Sequence, residues 1–284
     1  YYTISPWFML YYITEFKKLG DYHMKNLLVA QSGGPTSAIN ATLAGVVENA
    51  LSSPSVDKIY GSINGIQGVL TENLVDLKAK ITNVSELDLL CQTPASALGS
   101  CRVKLKDPAV CADEYETIIS VLRKYNIDCF IYIGGNDSMD TVDKLSKYLN
   151  TKGITDITVV GAPKTIDNDL CGTDQCPGFG SAAKYIGTTF AELERDCHVY
   201  ATKAVTIVEV MGRDAGWLTA ASCLARANGA KGPDFIYLCE VPFSIDTFLK
   251  DVKAKLEEQD AVIIAVSEGV KNKDGRYISE EVQS

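Results

Sequence analysis

The chain has 284 residues, 46% of them hydrophobic and 22% charged, the balance of a soluble globular protein with room for one large domain or two ordinary ones. Its 27 basic and 36 acidic residues leave a net charge of −9, which argues against a nucleic-acid footprint but leaves local phosphate sites open. Nine cysteines without a C-x-x-C pair and only two histidines argue against a disulfide framework, a zinc site, and Ser-His-Asp or Cys-His catalysis; they fit a reducing cytoplasm.

Residues 1–13 are aromatic and apolar, lack the basic start and small-residue cleavage site of a signal peptide, and are too few to span a bilayer. Residues 1–23 therefore read as a leader of doubtful structure ahead of Met24-Lys25. A strand is predicted at 26–31, then Ser32-Gly33-Gly34-Pro35-Thr36-Ser37, where Ser37 is placed to cap a helix to about 51. A second strand at 57–63 ends in Asn64-Gly65, and 66–112 is less regular. A helix at 114–125, with Ile118, Ile119 and Leu122 inward, precedes a strand at 128–133, the loop Gly134-Gly135-Asn136-Asp137-Ser138, and a helix at 139–149.

A strand at 156–160 leads into Ala162-Pro163-Lys164-Thr165-Ile166-Asp167-Asn168-Asp169, and the Gly- and Pro-bearing stretch Cys171–Gly180 reads as the domain crossing. Helices at 179–196, 215–228 and 245–259 alternate with strands at 204–210, 235–238 and 261–266. Short β-rich runs alternating with helices imply an α/β protein: two Rossmann-like three-layer αβα lobes with parallel-rich sheets, 24–178 and 179–284.

Chemistry concentrates in the loops after strands. Lys164, Thr165, Asp167 and Asp169 place a cation, a hydroxyl and two carboxylates where open α/β sheets bind ligands. Asp167 can take a proton from an attacking hydroxyl and Lys164 can neutralise a phosphate, which together suit phosphoryl transfer. Taken alone, the same run reads equally as an Asx-rich turn. Ser32-Gly33-Gly34 lets backbone N–H groups approach a phosphate at a helix N-terminus, though such loops are often only tight turns, and this one has neither the Rossmann nor the Walker A spacing. In the second glycine loop, Asp137 or Ser138 reads either as a site residue or as a helix cap. Arg102, in Leu98-Gly99-Ser100-Cys101-Arg102, suits phosphate oxygens through its forked guanidinium. Met211-Gly212-Arg213 offers a backbone contact and a cation, and Glu240 a sugar-hydroxyl acceptor.

In order and spacing over residues 26–270, these pieces resemble the phosphofructokinase family: Ser32-Gly33-Gly34, Gly99-Ser100-Cys101-Arg102, Gly134–Ser138, Pro163–Asp169 and Val208-Glu209-Val210-Met211-Gly212-Arg213. The resemblance implies phosphorylation of the 1-hydroxyl of fructose 6-phosphate with Mg²⁺. It makes Asp167 the base, with Lys164, Asp137 and Arg213 beside it in catalysis. Thr165, Ile166, Asp169, Met211, Gly212, Arg213 and Glu240 are implied on the sugar side, and Gly33 and Arg102 on the donor side. ATP-using members of the family usually carry glycine at the positions of Asp137 and Lys164, whereas pyrophosphate-using members carry Asp and Lys. The implied donor is therefore pyrophosphate, with ATP as the alternative, and a non-catalytic regulatory subunit of the same fold as a second.

Asn136 stands where the family generally has a magnesium-binding aspartate, so the metal is expected to be held more weakly. Ala204 falls where many members present a basic residue to a neighbouring subunit; Lys203 beside it is expected on the opposite strand face. The family's C-terminal clamp for the sugar phosphate has no counterpart, so the sequence is expected to be C-terminally incomplete and poorly active alone. The implied protein is a cytoplasmic homo-oligomer, dimer or tetramer, with no nucleic-acid or membrane partner. A dinucleotide oxidoreductase is disfavoured by the missing glycine fingerprint.

Overall fold

A computed structural model of the protein describes residues 26–281, so the leader expected at 1–23 lies outside the described residues. The chain divides into two compact units that part at Lys164/Thr165. In the first unit the elements run β1 (Asn26–Gln31), α1 (Ser37–Ser52), β2 (Lys58–Ser62), α2 (Gly65–Leu70), β3 (Leu74–Asp76), α3 (Leu77–Lys80), α4 (Val84–Gln92), α5 (Ala112–Lys124), β4 (Ile127–Gly134), α6 (Asn136–Thr151) and β5 (Thr158–Pro163).

The five strands order as β3-β2-β1-β4-β5, parallel except for β3 at one edge. Leu27 and Val29 of β1 and Cys129 and Ile133 of β4 join the α1 and α4 side chains Ile39, Leu43, Val47 and Leu87 in one cluster. Their alternates, Leu28, Ala30, Phe130 and Tyr132, join Ile66, Tyr115, Ile118, Leu122, Leu145 and Leu149 from α2, α5 and α6 on the other face. Burial on both faces explains why these strands read as nearly unbroken apolar runs. The chain leaves β1 toward β2 and later returns to β4 on the other side. The loops after β1 and β4 thus lie at a reversal of strand order, where open α/β sheets bind ligands.

The second unit contains α7 (Phe179–Cys197), β6 (Ala204–Val210), α8 (Trp217–Ala221) continued by a 3₁₀ segment at Ser222–Asn228, β7 (Phe235–Tyr237), α9 (Ile245–Glu258), β8 (Ala261–Ser267) and α10 (Ile278–Glu281). Its parallel sheet orders as β6-β8-β7. Ile263 and Ala265 of the central strand pack with Phe190 and Ala191 of α7. Val262 and Ile264 pack with Val252 of α9 on the opposite face. Each unit is accordingly three-layered, as its sequence implies.

Several local expectations are corrected. Thr36 is the N-cap of α1 and Ser37 its first helical residue. Helix α6 begins at Asn136 with Gly135 as its cap, so neither Asp137 nor Ser138 caps it. The strand expected at 156–160 forms at Thr158–Pro163. The helix expected at 215–228 tightens to 3₁₀ geometry from Ser222, where α7 comes so close that a side chain on Gly187 would lie 2.9 Å from Leu224 Cβ. The stretch 66–112, expected to be less regular, holds most of α2 and all of β3, α3 and α4. The units part before Cys171–Gly180, because Thr165 bridges to Gly178 and its N–H donates to Pro177 O at 3.0 Å, which ties that stretch to the second unit. Lys203 donates to Leu256 O at 2.7 Å, across to the end of α9.

Two glycines give opposite predictions. A side chain at Gly134 would collide with Ser138 and lie 3.1 Å from Ser32 O, whereas nothing stands near that position at Gly45 within α1. Gly134→Ala should destabilise the chain by about 1–3 kcal/mol, and Gly45→Ala should stabilise it by about 0.5–1 kcal/mol. Urea midpoints of the two variants against the parent check both signs.

Candidate active site

In the first unit, the loops after β1 and β4 are joined by short bonds. Ser32 N–H donates to Ile133 O at 2.9 Å, and Ser138 Oγ donates to Ser32 Oγ at 3.0 Å. Ser138, at 2% exposure, thus ties the start of α6 to the β1 loop. Gly33 holds φ at 77°, a left-handed conformation that favours glycine. The segment carrying Arg102 closes a third side: Gly33 N–H donates to Cys101 O at 3.4 Å and Ser100 Oγ donates to Gly33 O at 2.5 Å.

Lys164 continues β5, its N–H donating to Gly134 O at 2.9 Å. Its side chain is 4% exposed, and its ammonium donates to the Gly34 carbonyl. A Cβ on Gly33 would lie 3.3 Å from Lys164 Nζ and 3.5 Å from the Gly135 amide nitrogen. Gly33 is therefore closely flanked by an ammonium and by a backbone nitrogen at the start of a 16-residue helix, an environment that favours an anion. Asp137 lies in the first turn of that helix and pairs through Oδ1 with Lys104 Nζ at 2.7 Å. Arg102 is exposed on the outer side of its segment.

In the second unit, the run after Lys164 is a bonded loop. Thr165 Oγ1 accepts from Asp167 N–H at 3.1 Å and donates to Asp169 Oδ1 at 3.2 Å, so one hydroxyl sets both carboxylate-bearing residues. Asn168 sits at φ 58°; its Oδ1 accepts from Cys176 N–H at 2.8 Å and its Nδ2 donates to Asp174 O at 3.2 Å. Ile166 turns away and packs on the α7 cluster with Phe190 and Val210, which anchors the loop.

The other loops of this unit leave the carboxyl ends of its three strands. Gly212 N–H donates to Glu268 Oε1 at 3.0 Å, and Ser267 Oγ donates to Gly212 O at 2.7 Å. These bonds fix the turn that carries Met211 and Arg213, both exposed. Glu240 Oε1 accepts from Gly216 N–H at 2.7 Å. Burial works to raise the Glu240 carboxyl, but the hydrogen bonds from Gly216, its own amide and Cys239 outweigh it and hold the carboxyl below its ordinary value.

Within each unit, then, the expected residues assemble: Gly33, Asn136, Asp137 and Lys164 around the glycine loops of the first, and Thr165, Asp167 and Asp169 in one loop of the second. Met211, Gly212, Arg213 and Glu240 share the strand-end loops of that second sheet. Sequence reading gave no role of their own to Lys104, Ser100, Asn168 and Glu268. Lys104 had a signal, since it alternates with Arg102 on an extended segment whose Cys101 and Leu105 are buried. Among the described residues no group of three or more His, Cys, Asp or Glu could hold a metal by itself, and no helix is long and apolar enough to cross a membrane.

This chain belongs to the phosphofructokinase family, whose family model, described as "Phosphofructokinase", matches residues 26–284. It is 41% identical over 90% of its length to the pyrophosphate–fructose 6-phosphate 1-phosphotransferase of Xanthomonas campestris, covering 60% of that protein. It is 30% identical to ATP-dependent 6-phosphofructokinase 3 of Bacteroides thetaiotaomicron, covering 72% of it. The crystal structure of a pyrophosphate-dependent phosphofructokinase from Nitrosospira multiformis superimposes with a TM-score of 0.79 at 39% identity, over 90% of this chain and 63% of that one. The chain thus spans about three fifths of the length of the pyrophosphate-dependent relatives.

Asn168→Ala removes both loop bonds and puts a less tolerant residue at positive φ. The Cys176 amide should then exchange with solvent about tenfold faster or more, as befits losing about 1.4 kcal/mol. Asn168→Asp, which keeps the acceptor, should stay near the parent; equal exchange in all three would contradict the bonding.

Because the folded Glu240 carboxyl lies below its ordinary value of 4.5, its contribution to stability is present above pH 4.5 and is lost as pH falls through the lowered value. Urea midpoints should therefore fall less steeply on acidification below pH 4.5 in Glu240→Gln than in the parent.

Proposed function

We propose that the protein transfers a phosphoryl group from pyrophosphate to the 1-hydroxyl of fructose 6-phosphate, giving fructose 1,6-bisphosphate and phosphate. The observation that carries this reading is the positive cluster at the glycine loops: Lys164 Nζ lies 3.3 Å and the Gly135 amide nitrogen 3.5 Å from where a side chain on Gly33 would begin. Relatives about 40% identical that are named for this reaction support it.

On this reading the first unit is the donor lobe and the second the sugar-phosphate lobe. Gly135 and Arg102 bind the pyrophosphate oxygens beside Gly33, which has no side chain to block them. Lys164 stabilises the charge that builds on the departing phosphate. Asp137 adds a side chain at the start of α6 whose bulk obstructs the additional phosphate of a nucleotide. Thr165 holds Asp167 and Asp169 in their loop. The Asp167 carboxylate accepts the proton of the sugar 1-hydroxyl as that oxygen bonds to phosphorus and the bridging P–O bond breaks. Met211, Gly212, Arg213 and Glu240 orient the sugar phosphate, and Ile166 keeps the Asp167 loop seated.

The family implies Mg²⁺. An ion that arrives with phosphate oxygens and its own waters needs only one or two protein oxygens, which suits a site without a closed cluster of acids. Asn136, opening α6 beside Gly135, would hold it, and the ion would supply charge neutralisation on the phosphate oxygens. The protein is proposed to act in the cytoplasm as a homo-oligomer, and it fits the opening stage of a sugar-phosphate breakdown route or the closing stage of its reverse.

A coupled assay for fructose 1,6-bisphosphate with Mg²⁺ and either pyrophosphate or ATP tests the donor. Pyrophosphate should support turnover and ATP should not. Asp137→Gly with Lys164→Gly should cut kcat/KM for pyrophosphate by about a hundredfold or more, and Asp167→Asn should cut kcat by about 10²–10⁴. Turnover with ATP in the parent, or unchanged pyrophosphate use in the double variant, would overturn the assignment.

A further inference from the structure

We propose that Lys104 is a positioning residue for the donor site: it holds the Asp137 carboxylate and cancels its charge, so that Asp137 can obstruct a nucleotide without repelling pyrophosphate. The inference rests on the donor reading above and extends it to a residue outside the motifs that suggested it.

The pair joins two separate elements. Lys104 lies on the extended segment after Cys101, and Asp137 on the first turn of α6, with Nζ and Oδ1 2.7 Å apart. The segment that presents Lys104 is fixed on both sides. Cys101 is 8% and Leu105 1% exposed, both within the core cluster, with Val103 packed against it. Lys144 Nζ also donates to Leu105 O at 3.1 Å. Alternation along this segment turns Arg102 and Lys104 outward together.

Upstream, the same segment is bonded to the anion loop through Gly33 N–H to Cys101 O and Ser100 Oγ to Gly33 O. One short stretch therefore braces Gly33 and carries the cation that meets Asp137. The need for that cation follows from charge. A carboxylate in the first helical turn competes with an anionic ligand for the same positive end of the helix. Without a counter-charge, it repels pyrophosphate as it would a nucleotide. The two side chains are 66% and 59% exposed, so pairing them carries little desolvation cost and the pair contributes little to stability; its effect should fall on binding.

Calorimetric titration of the full chain with magnesium pyrophosphate separates this role from direct ligand contact. Lys104→Met should weaken binding about tenfold, and Lys104→Arg should restore most of it. Asp137→Asn, which removes the charge to be cancelled, should abolish the penalty: Lys104→Met with Asp137→Asn should bind about as tightly as Asp137→Asn alone. If Lys104→Met weakens binding by the same factor in both backgrounds, Lys104 contacts pyrophosphate itself and the inference is overturned. It is overturned also if Lys104→Met binds like a pyrophosphate-binding parent. A parent that does not bind pyrophosphate fails the donor reading first, a result distinct from either.

Discussion

A buried ammonium held against a glycine turn is the constraint on which the proposed donor side depends. Lys164 is 4% exposed, and removing such a charge from water is costly unless hydrogen bonds replace the solvent. The carbonyl of Gly34 is one partner. The arrangement needs a strand that ends beside the β1 and β4 loops, which the order β1-β4-β5 provides. It needs a residue at 33 without a side chain, because a Cβ would occupy the space that faces the ammonium. It also needs α6 to start at once after Gly135, so that backbone N–H groups and the helix dipole reinforce the lysine. Sheet order, glycine, helix start and cation describe one electrostatic object.

The second unit solves a different problem, keeping carboxylates in place without surrendering their charge. Thr165 bonds to Asp169 and to the Asp167 backbone, and Asn168 takes the left-handed turn that asparagine tolerates better than most residues. The loop is anchored below by Ile166 in the α7 cluster. At the strand ends, Glu268 and Glu240 accept from the Gly212 and Gly216 backbones, so acids shape the turns that present Met211 and Arg213. Much of the polar sequence here is scaffolding for the few side chains proposed to meet substrate.

The central strands were legible because both their faces are buried, which writes an apolar run into the sequence; β1 and β6 fall at their expected residues. The elements between 65 and 80 were not, since α2, β3 and α3 are three to six residues long and owe their form to packing on the sheet rather than to periodicity. Helix starts slipped by one or a few residues where several polar or glycine residues in a row could each serve as cap. At the candidate site, the motifs pointed to these loops, but the contacts that join them are long-range: Lys164 reaches a carbonyl 130 residues away. Lys104 was passed over because its partner lies on another element, and nothing local announces a pair between an extended segment and a helix start.

Pyrophosphate is proposed to bind against Gly33, Gly135 and Lys164. Amide resonances of isotope-labelled protein, followed during a pyrophosphate titration with Mg²⁺, test it directly. The Gly33 and Gly135 amides should shift together with a single saturating curve, and Lys164→Met should remove that response. Saturable binding that leaves both glycine amides unmoved would contradict the claim and place the anion elsewhere.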